Sequence, residues 1–177
     1  MDMFTRFNRK AIDDRQIDTL IGLRQATTNP IIINLLEKVE VMLEDDILDQ
    51  EESEELADIL RLISGEPSEL GELTKTTGLP LDDPLPELTF PGQQFLFTGT
   101  CAFGTRKQCQ QAIESLGGLN AKSVTKTLNY LVLGTYVTDS WAHENFGRKI
   151  EKAMQYRDSG VPLAIISEEH WANAANL

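Results

Sequence analysis

Phe95-Leu96-Phe97-Thr98-Gly99, residues 95–99, is a short apolar run that ends in a hydroxyl residue and a glycine. That is the pattern of a buried strand entering a tight turn. Downstream of it, helical and strand-like segments alternate. Arg106 to Leu116 has helical composition with Ala112, Ile113 and Leu116 apolar, and Gly117-Gly118 supplies a stop. Val124 marks a short second strand, and Tyr130-Leu131-Val132-Leu133, closed by Gly134, marks a third. Arg148 to Tyr156 returns to helix, Leu163-Ala164-Ile165-Ile166 is a fourth strand, and Ser167 with Glu169 close behind opens a last helix bearing Trp171 as a core residue. Strand, helix, strand, strand, helix, strand, helix over residues 92–177 predicts an α/β domain, a four-stranded, parallel sheet flanked by helices.

Upstream the pattern is helical. Asp13 or Asp14 caps a first helix with Ile17, Leu20, Ile21 and Leu23 on one stripe, ending near Thr27. Asn29 before Pro30 opens a second, in which Ile32, Leu35, Leu36, Val39, Met42 and Leu43 recur on one face. Asp49 with Glu52 three residues on resembles a capping box for a third helix carrying Leu56, Ile59, Leu60 and Ile63, stopped at Gly65. Residues 1–65 therefore read as an acidic α-helical region. Residues 66–91 hold five prolines with no sustained period and read as a linker, in which Leu79, Leu81, Leu85 and Leu88 are able to lie along a neighbouring surface.

Charge divides at the same place. Residues 1–90 carry 21 Asp/Glu against 8 Lys/Arg, net −13, and residues 91–177 carry 7 against 8, net +1. The acidity of the first half thus does not argue against a polyanion partner for the second. The acidic run from Glu44 to Glu55 lacks the alternating ligands and sixth-position glycine of a calcium loop, and reads as a solvated helical turn. Cys101 and Cys109 have neither metal-knuckle nor disulfide-framework spacing and read as buried thiols in a reducing cell. No stretch approaches the roughly 18 to 20 apolar residues of a membrane span, and residues 1–6 lack a signal-peptide apolar core. A cytoplasmic protein without membrane contact is the expectation.

Taken together, Phe97-Thr98-Gly99-Thr100, Arg106, Leu116-Gly117-Gly118, Ser123 to Val132, Gly147 to Ala153, Ile165 to Glu169 and Trp171 resemble the BRCT domain. They resemble in particular the single copy in bacterial NAD-dependent DNA ligases and the one in the large subunit of eukaryotic clamp loaders. The stretch from Thr135 to Phe146 is longer than in compact family members.

The resemblance implies a phosphate site. Thr98 would supply a hydroxyl, Gly99 an amide and Lys149 an ammonium, with Arg106 and Lys152 as further basic groups, as in clamp-loader-type domains that hold the 5′-phosphate of a DNA end. The chemistry is sound on its own terms, because a hydroxyl, a bare glycine amide and a helix N-terminus all approach an oxyanion closely. The alternative is a family turn at Thr98-Gly99 and a solvated face at Lys149 and Lys152. In the long loop, Trp141, His143 and Phe146 either stack on a base or cover a partner, or pin the loop to its own domain.

No catalytic or metal motif is present: His143 and His170 lack zinc spacing, and there is neither a KxDG adenylation motif nor a P-loop. The sequence therefore predicts a binding module without cofactors and without enzyme activity. Its expected partner is DNA with a 5′-phosphate end or nick. A protein scaffold that docks a repair or replication protein, or a second copy as a homodimer, is the competing expectation.

Overall fold

The protein is described from a computed structural model, which covers residues 19, 22–44, 47–64, 78–136 and 147–177. The chain divides into two units, Met1–Leu70 and Gly71–Leu177. In the first, residues 22–26 are helical, and the rest of the first expected helix, with its cap at Asp13 or Asp14, lies outside the described residues, as does Asp45-Asp46.

Helix α1 (Pro30–Leu43) begins as its sequence demands. The Asn29 side chain accepts a hydrogen bond from the Ile31 N–H at 2.9 Å, and proline occupies the first turn, where its missing donor leaves nothing unsatisfied. Helix α2 (Gln50–Ser64) carries a reciprocal capping box. Asp49 Oδ1 accepts from the Glu52 N–H at 2.9 Å, while Glu52 Oε2 accepts from the Asp49 N–H at 3.1 Å. The two helices pack together through Leu35, Leu36, Val39 and Met42 of α1 and Leu56 and Ile59 of α2, none more than 3% exposed.

The second unit is built on strands β1 (Gln94–Thr98), β2 (Leu119–Asn120), β3 (Tyr130–Leu133) and β4 (Ala164–Ser167), all parallel in the order β2-β1-β3-β4. Helices α3 (Arg106–Ser115), α4 (Gly147–Asp158) and α5 (Glu168–Ala175) cover it. Because side chains alternate along a strand, β1, β3 and β4 each feed two cores. Phe95, Phe97, Tyr130, Val132 and Ile166 meet Cys109 and Ile113 of α3 and Trp171 of α5 on one face. Leu96, Leu131, Leu133 and Ile165 meet Ile150 and Ala153 of α4 on the other. Both faces are apolar, which is why these strands read as continuous hydrophobic runs.

One local expectation changes. The second strand is Leu119–Asn120, not the segment at Val124. Once Gly117 has ended α3 in a left-handed conformation (φ +79°), the chain pairs at once with β1, Leu119 N–H donating to Gln93 and Ala121 N–H to Phe95. Val124 is left in the following turns, where its side chain is buried against the α4-side core.

In the proline-rich stretch the chain takes the alternative that its leucines allow. Its latter part, residues 78–91, follows the surface of the module. Leu79 and Leu81 pack on the α4-side core and Leu88 and Phe90 on the other, while Leu85 is 56% exposed. The Phe90 ring stacks on Phe95 at 5.4 Å. At the edge strand β4, Asp82 N–H donates to the Ile165 carbonyl at 2.9 Å and Asp82 Oδ2 accepts from the Ile165 N–H at 2.6 Å. Arg157 Nη1 clamps this strap from α4, donating to Asp82 Oδ1 and to the Pro80 carbonyl, both at 2.9 Å. Leucines two to four residues apart, separated by prolines, have no helical or strand period, so only the tertiary contacts reveal what they cover.

Candidate functional site

Parallel strands end at one edge of the sheet. Here that edge carries Thr98, Asn120, Leu133 and Ser167, and α3, α4 and α5 all begin beside it. From β1 the chain leaves through α3 towards one face, and from β3 through α4 towards the other. The carboxyl ends of β1 and β3 thus flank a topological switch point, the place where open α/β sheets form a ligand crevice. Thr98 stands there, paired in register with Leu133.

The backbone at this point is tightly constrained. Gly99 has φ +77°, a conformation that side chains other than glycine rarely adopt. A Cβ on Gly134 would lie 2.5 Å from the Thr100 carbonyl oxygen, so the two strand ends approach this closely only because residue 134 is glycine. Just beyond, Thr100 and Tyr136 form an antiparallel bridge in which the Tyr136 N–H donates to the Thr100 carbonyl at 3.0 Å.

Alternation along β1 places Thr98 on the α4 side of the sheet. Its side chain is buried, 1% exposed, and Oγ1 has no hydrogen-bond partner among the described residues. An unsatisfied buried hydroxyl costs about 1–3 kcal/mol.

Charge at the helix starts is equally unusual. A helix N-terminus favours acidic side chains, and α2 (Glu51, Glu52) and α5 (Glu168, Glu169) follow that rule. The helices that diverge from the switch point do the opposite. The first turns of α3 (Arg106, Lys107) and α4 (Arg148, Lys149) carry cations and no acid. At these two starts the helix dipole and the side-chain charges have the same sign.

A third feature accounts for the loop donors. Glu168, the first residue of α5, is 3% exposed. Its Oε2 accepts from the Ala102 N–H at 2.9 Å, the Thr135 N–H at 2.8 Å and the Thr135 hydroxyl at 2.5 Å, and its Oε1 accepts from the Phe103 N–H at 2.7 Å. The protein's own carboxylate thus fills a nest of four donors and ties the β1–α3 loop, the β3–α4 connection and α5 together. Amides 102, 103 and 135 are committed to it and are not open to an external anion.

Of the residues singled out from sequence, Thr98, Gly99, Arg106 and Lys149 all come to this edge. They do not share one layer. Thr98 and the α4 residue Lys149 belong to one side, whereas Arg106 opens α3 on the other and is only 7% exposed. Lys152 sits about one helical turn further along α4, exposed, with its ammonium 5.7 Å from the centre of the Tyr156 ring. Trp141, His143 and Phe146 lie outside the described residues. Sequence reasoning missed Glu168, whose neighbours Ser167 and Glu169 signalled only a helix start. Among the described residues no three His, Cys, Asp or Glu side chains are grouped to hold a metal ion, and no helix is long and apolar enough to cross a membrane.

Burial, and secondarily the Glu168 carboxylate, raise the pKa of Tyr136 above its ordinary value of 10.0. Below pH 10 the tyrosine is protonated in both folded and unfolded chains. Above it the unfolded chain ionises first, so stability falls as pH rises from about 10 towards the folded pKa. Alkaline unfolding followed by circular dichroism is expected to show this loss in the wild type and to show less of it in Tyr136→Phe. Identical pH profiles would contradict the assignment.

Comparison with known proteins converges on the same part of the chain. Residues 85–163 match the family model of the BRCA1 C Terminus (BRCT) domain. A DNA ligase of Fusobacterium nucleatum is 40% identical over 83 residues, 46% of this chain and 10% of the ligase. A DNA ligase of Coprothermobacter proteolyticus is 35% identical over 101 residues, 57% of this chain and 13% of the ligase, and one of Syntrophus aciditrophicus is 37% identical over 84 residues, 48% and 10%. The chain thus spans about a tenth of the length of these relatives.

Proposed function

We propose that the BRCT module of this chain is a binding domain, without catalytic chemistry of its own, that recognises the 5′-phosphate of a DNA end or nick in repair or replication. The observation that carries this reading is the switch point between β1 and β3, where the buried Thr98 hydroxyl lacks a partner among the described residues and the flanking helices begin with Arg106-Lys107 and Arg148-Lys149. A bound phosphate would accept from the Thr98 hydroxyl and be attracted by the basic helix starts. The similarity to DNA ligases points to DNA as the bearer of that phosphate.

Net charge contributes little. With the strap included, residues 78–177 hold 10 Asp/Glu and 8 Lys/Arg, net −2, so attraction must come from the local edge and not from the whole module. Titration of 5′-phosphorylated against unphosphorylated duplex tests the reading. The phosphorylated duplex is expected to bind at least tenfold more tightly, with the preference weakened by salt and lost in Thr98→Val and in Lys149→Ala. Equal affinities for the two duplexes would overturn it and leave docking of a repair or replication protein, or self-association, as the module's role.

A further inference from the structure

One large aromatic ring stands exposed on the loop that leaves the switch point. Phe103 is 44% exposed, and its own backbone N–H is held by Glu168 Oε1 at 2.7 Å. Its ring meets the buried Trp171 in a T-shaped contact, 5.4 Å between centroids and 87° between planes, and Trp171 is itself set edge to face against Phe97 at 4.9 Å. The neighbouring Ala102 N–H is held by the same carboxylate. A single exposed hydrophobic residue ordinarily needs no explanation. This one is anchored through its backbone and through its ring. An aromatic surface fixed in advance binds without the ordering cost of a mobile side chain.

Its position makes the occupant specific. Phe103 follows Gly99 by four residues and precedes Arg106 by three, so its Cα lies within about 11 Å of that of Arg106. In a nucleotide only the sugar separates the base from its own 5′-phosphate. A phosphate held at the basic edge therefore brings its base to the neighbourhood of this loop. We infer that Phe103 is the stacking platform for the terminal base of the bound DNA end, a role that rests on the phosphate reading above and adds to it a contact with the base.

The test uses the full chain and a 5′-phosphorylated duplex carrying 2-aminopurine either at the 5′-terminal nucleotide or well inside. Stacking on an aromatic side chain is worth about 1–3 kcal/mol per base, which corresponds to a loss of about 5- to 150-fold in affinity. Phe103→Leu keeps an apolar cover over Trp171 but removes the aromatic face. It is expected to lose affinity in that range and to abolish the quenching of terminal 2-aminopurine, while keeping the preference for phosphorylated over unphosphorylated duplex. Phe103→Tyr and Phe103→Trp are expected to restore both affinity and quenching, and the fluorescence of the internal probe is expected to be unchanged by the protein throughout. Unchanged affinity or quenching in Phe103→Leu, with its thermal midpoint close to wild type, would overturn the stacking role. Quenching that depends on Phe103 in a wild type lacking phosphate preference would support stacking and overturn the phosphate reading instead. Absence of DNA binding by the wild type would overturn both.

Discussion

A fragment of residues 92–177 is expected to be less stable than a fragment of residues 78–177 by about 5 kcal/mol or more. Removing residues 78–91 strips Leu79 and Leu81 from one core and Leu88 and Phe90 from the other, and each partly buried side chain contributes about 1–2 kcal/mol. The same cut takes Asp82 from Arg157, takes the Pro80 carbonyl from that guanidinium, and removes the Pro86 carbonyl 2.8 Å from His170 Nε2. It also bares the Ile165 N–H and carbonyl on edge strand β4, a template for pairing with another chain. Domains of this size have only about 5–15 kcal/mol in total, so the shorter fragment should populate its unfolded state in dilute buffer and aggregate when concentrated. Urea unfolding and light scattering of the two fragments decide it; coincident midpoints would show that the strap contributes nothing.

Glu168→Ala should lower the stability of the module by about 3–5 kcal/mol, because it removes one buried carboxylate and leaves three backbone amides and a hydroxyl without their acceptor. Glu168→Gln keeps the volume but turns an amide group towards those same donors, and roughly 2 kcal/mol is expected. Asp is one methylene too short to reach both loops. Beyond the loss in unfolding free energy, hydrogen exchange should quicken selectively at the amides of Ala102, Phe103 and Thr135. Uniform quickening across β1 and β3 would instead mark Glu168 as a general stabiliser with no particular hold on the loops.

Much of the module was legible because both faces of its sheet are buried. Phe95-Leu96-Phe97, Tyr130 to Leu133 and Leu163 to Ile166 are unbroken apolar runs, and Gly117 and Ser167 mark helix ends by local chemistry that acts within a few residues. The capping box of Asp49 and Glu52 was readable for the same reason. Strand β2 was not. With two residues it has no period, and Val124, apolar and nearby, is buried without being a strand. Residues 66–91 were read as a linker whose leucines are able to lie along a neighbouring surface, but without local periodicity they did not say which surface, and the acidic residues of the strap were counted with the N-terminal half although Asp82 serves the module.

The residues of the candidate edge divide in the same way. Thr98, Gly99, Arg106 and Lys149 were singled out through the resemblance to the BRCT domain; the strand-to-turn pattern and the helix starts showed only where in the fold they stand. By itself, the sequence determined the alternation of strands and helices, the helix caps and the concentration of acid upstream of residue 91, all consequences of interactions between near neighbours. Only the tertiary structure decided that β1 and β3 flank a switch point, that Glu168 closes the loop nest, that residues 78–91 complete the module, and that Phe103 stands exposed beside the basic edge. Those features join residues some 30 to 85 positions apart, and no local periodicity records which distant partner will satisfy a buried carboxylate or cover a strand edge.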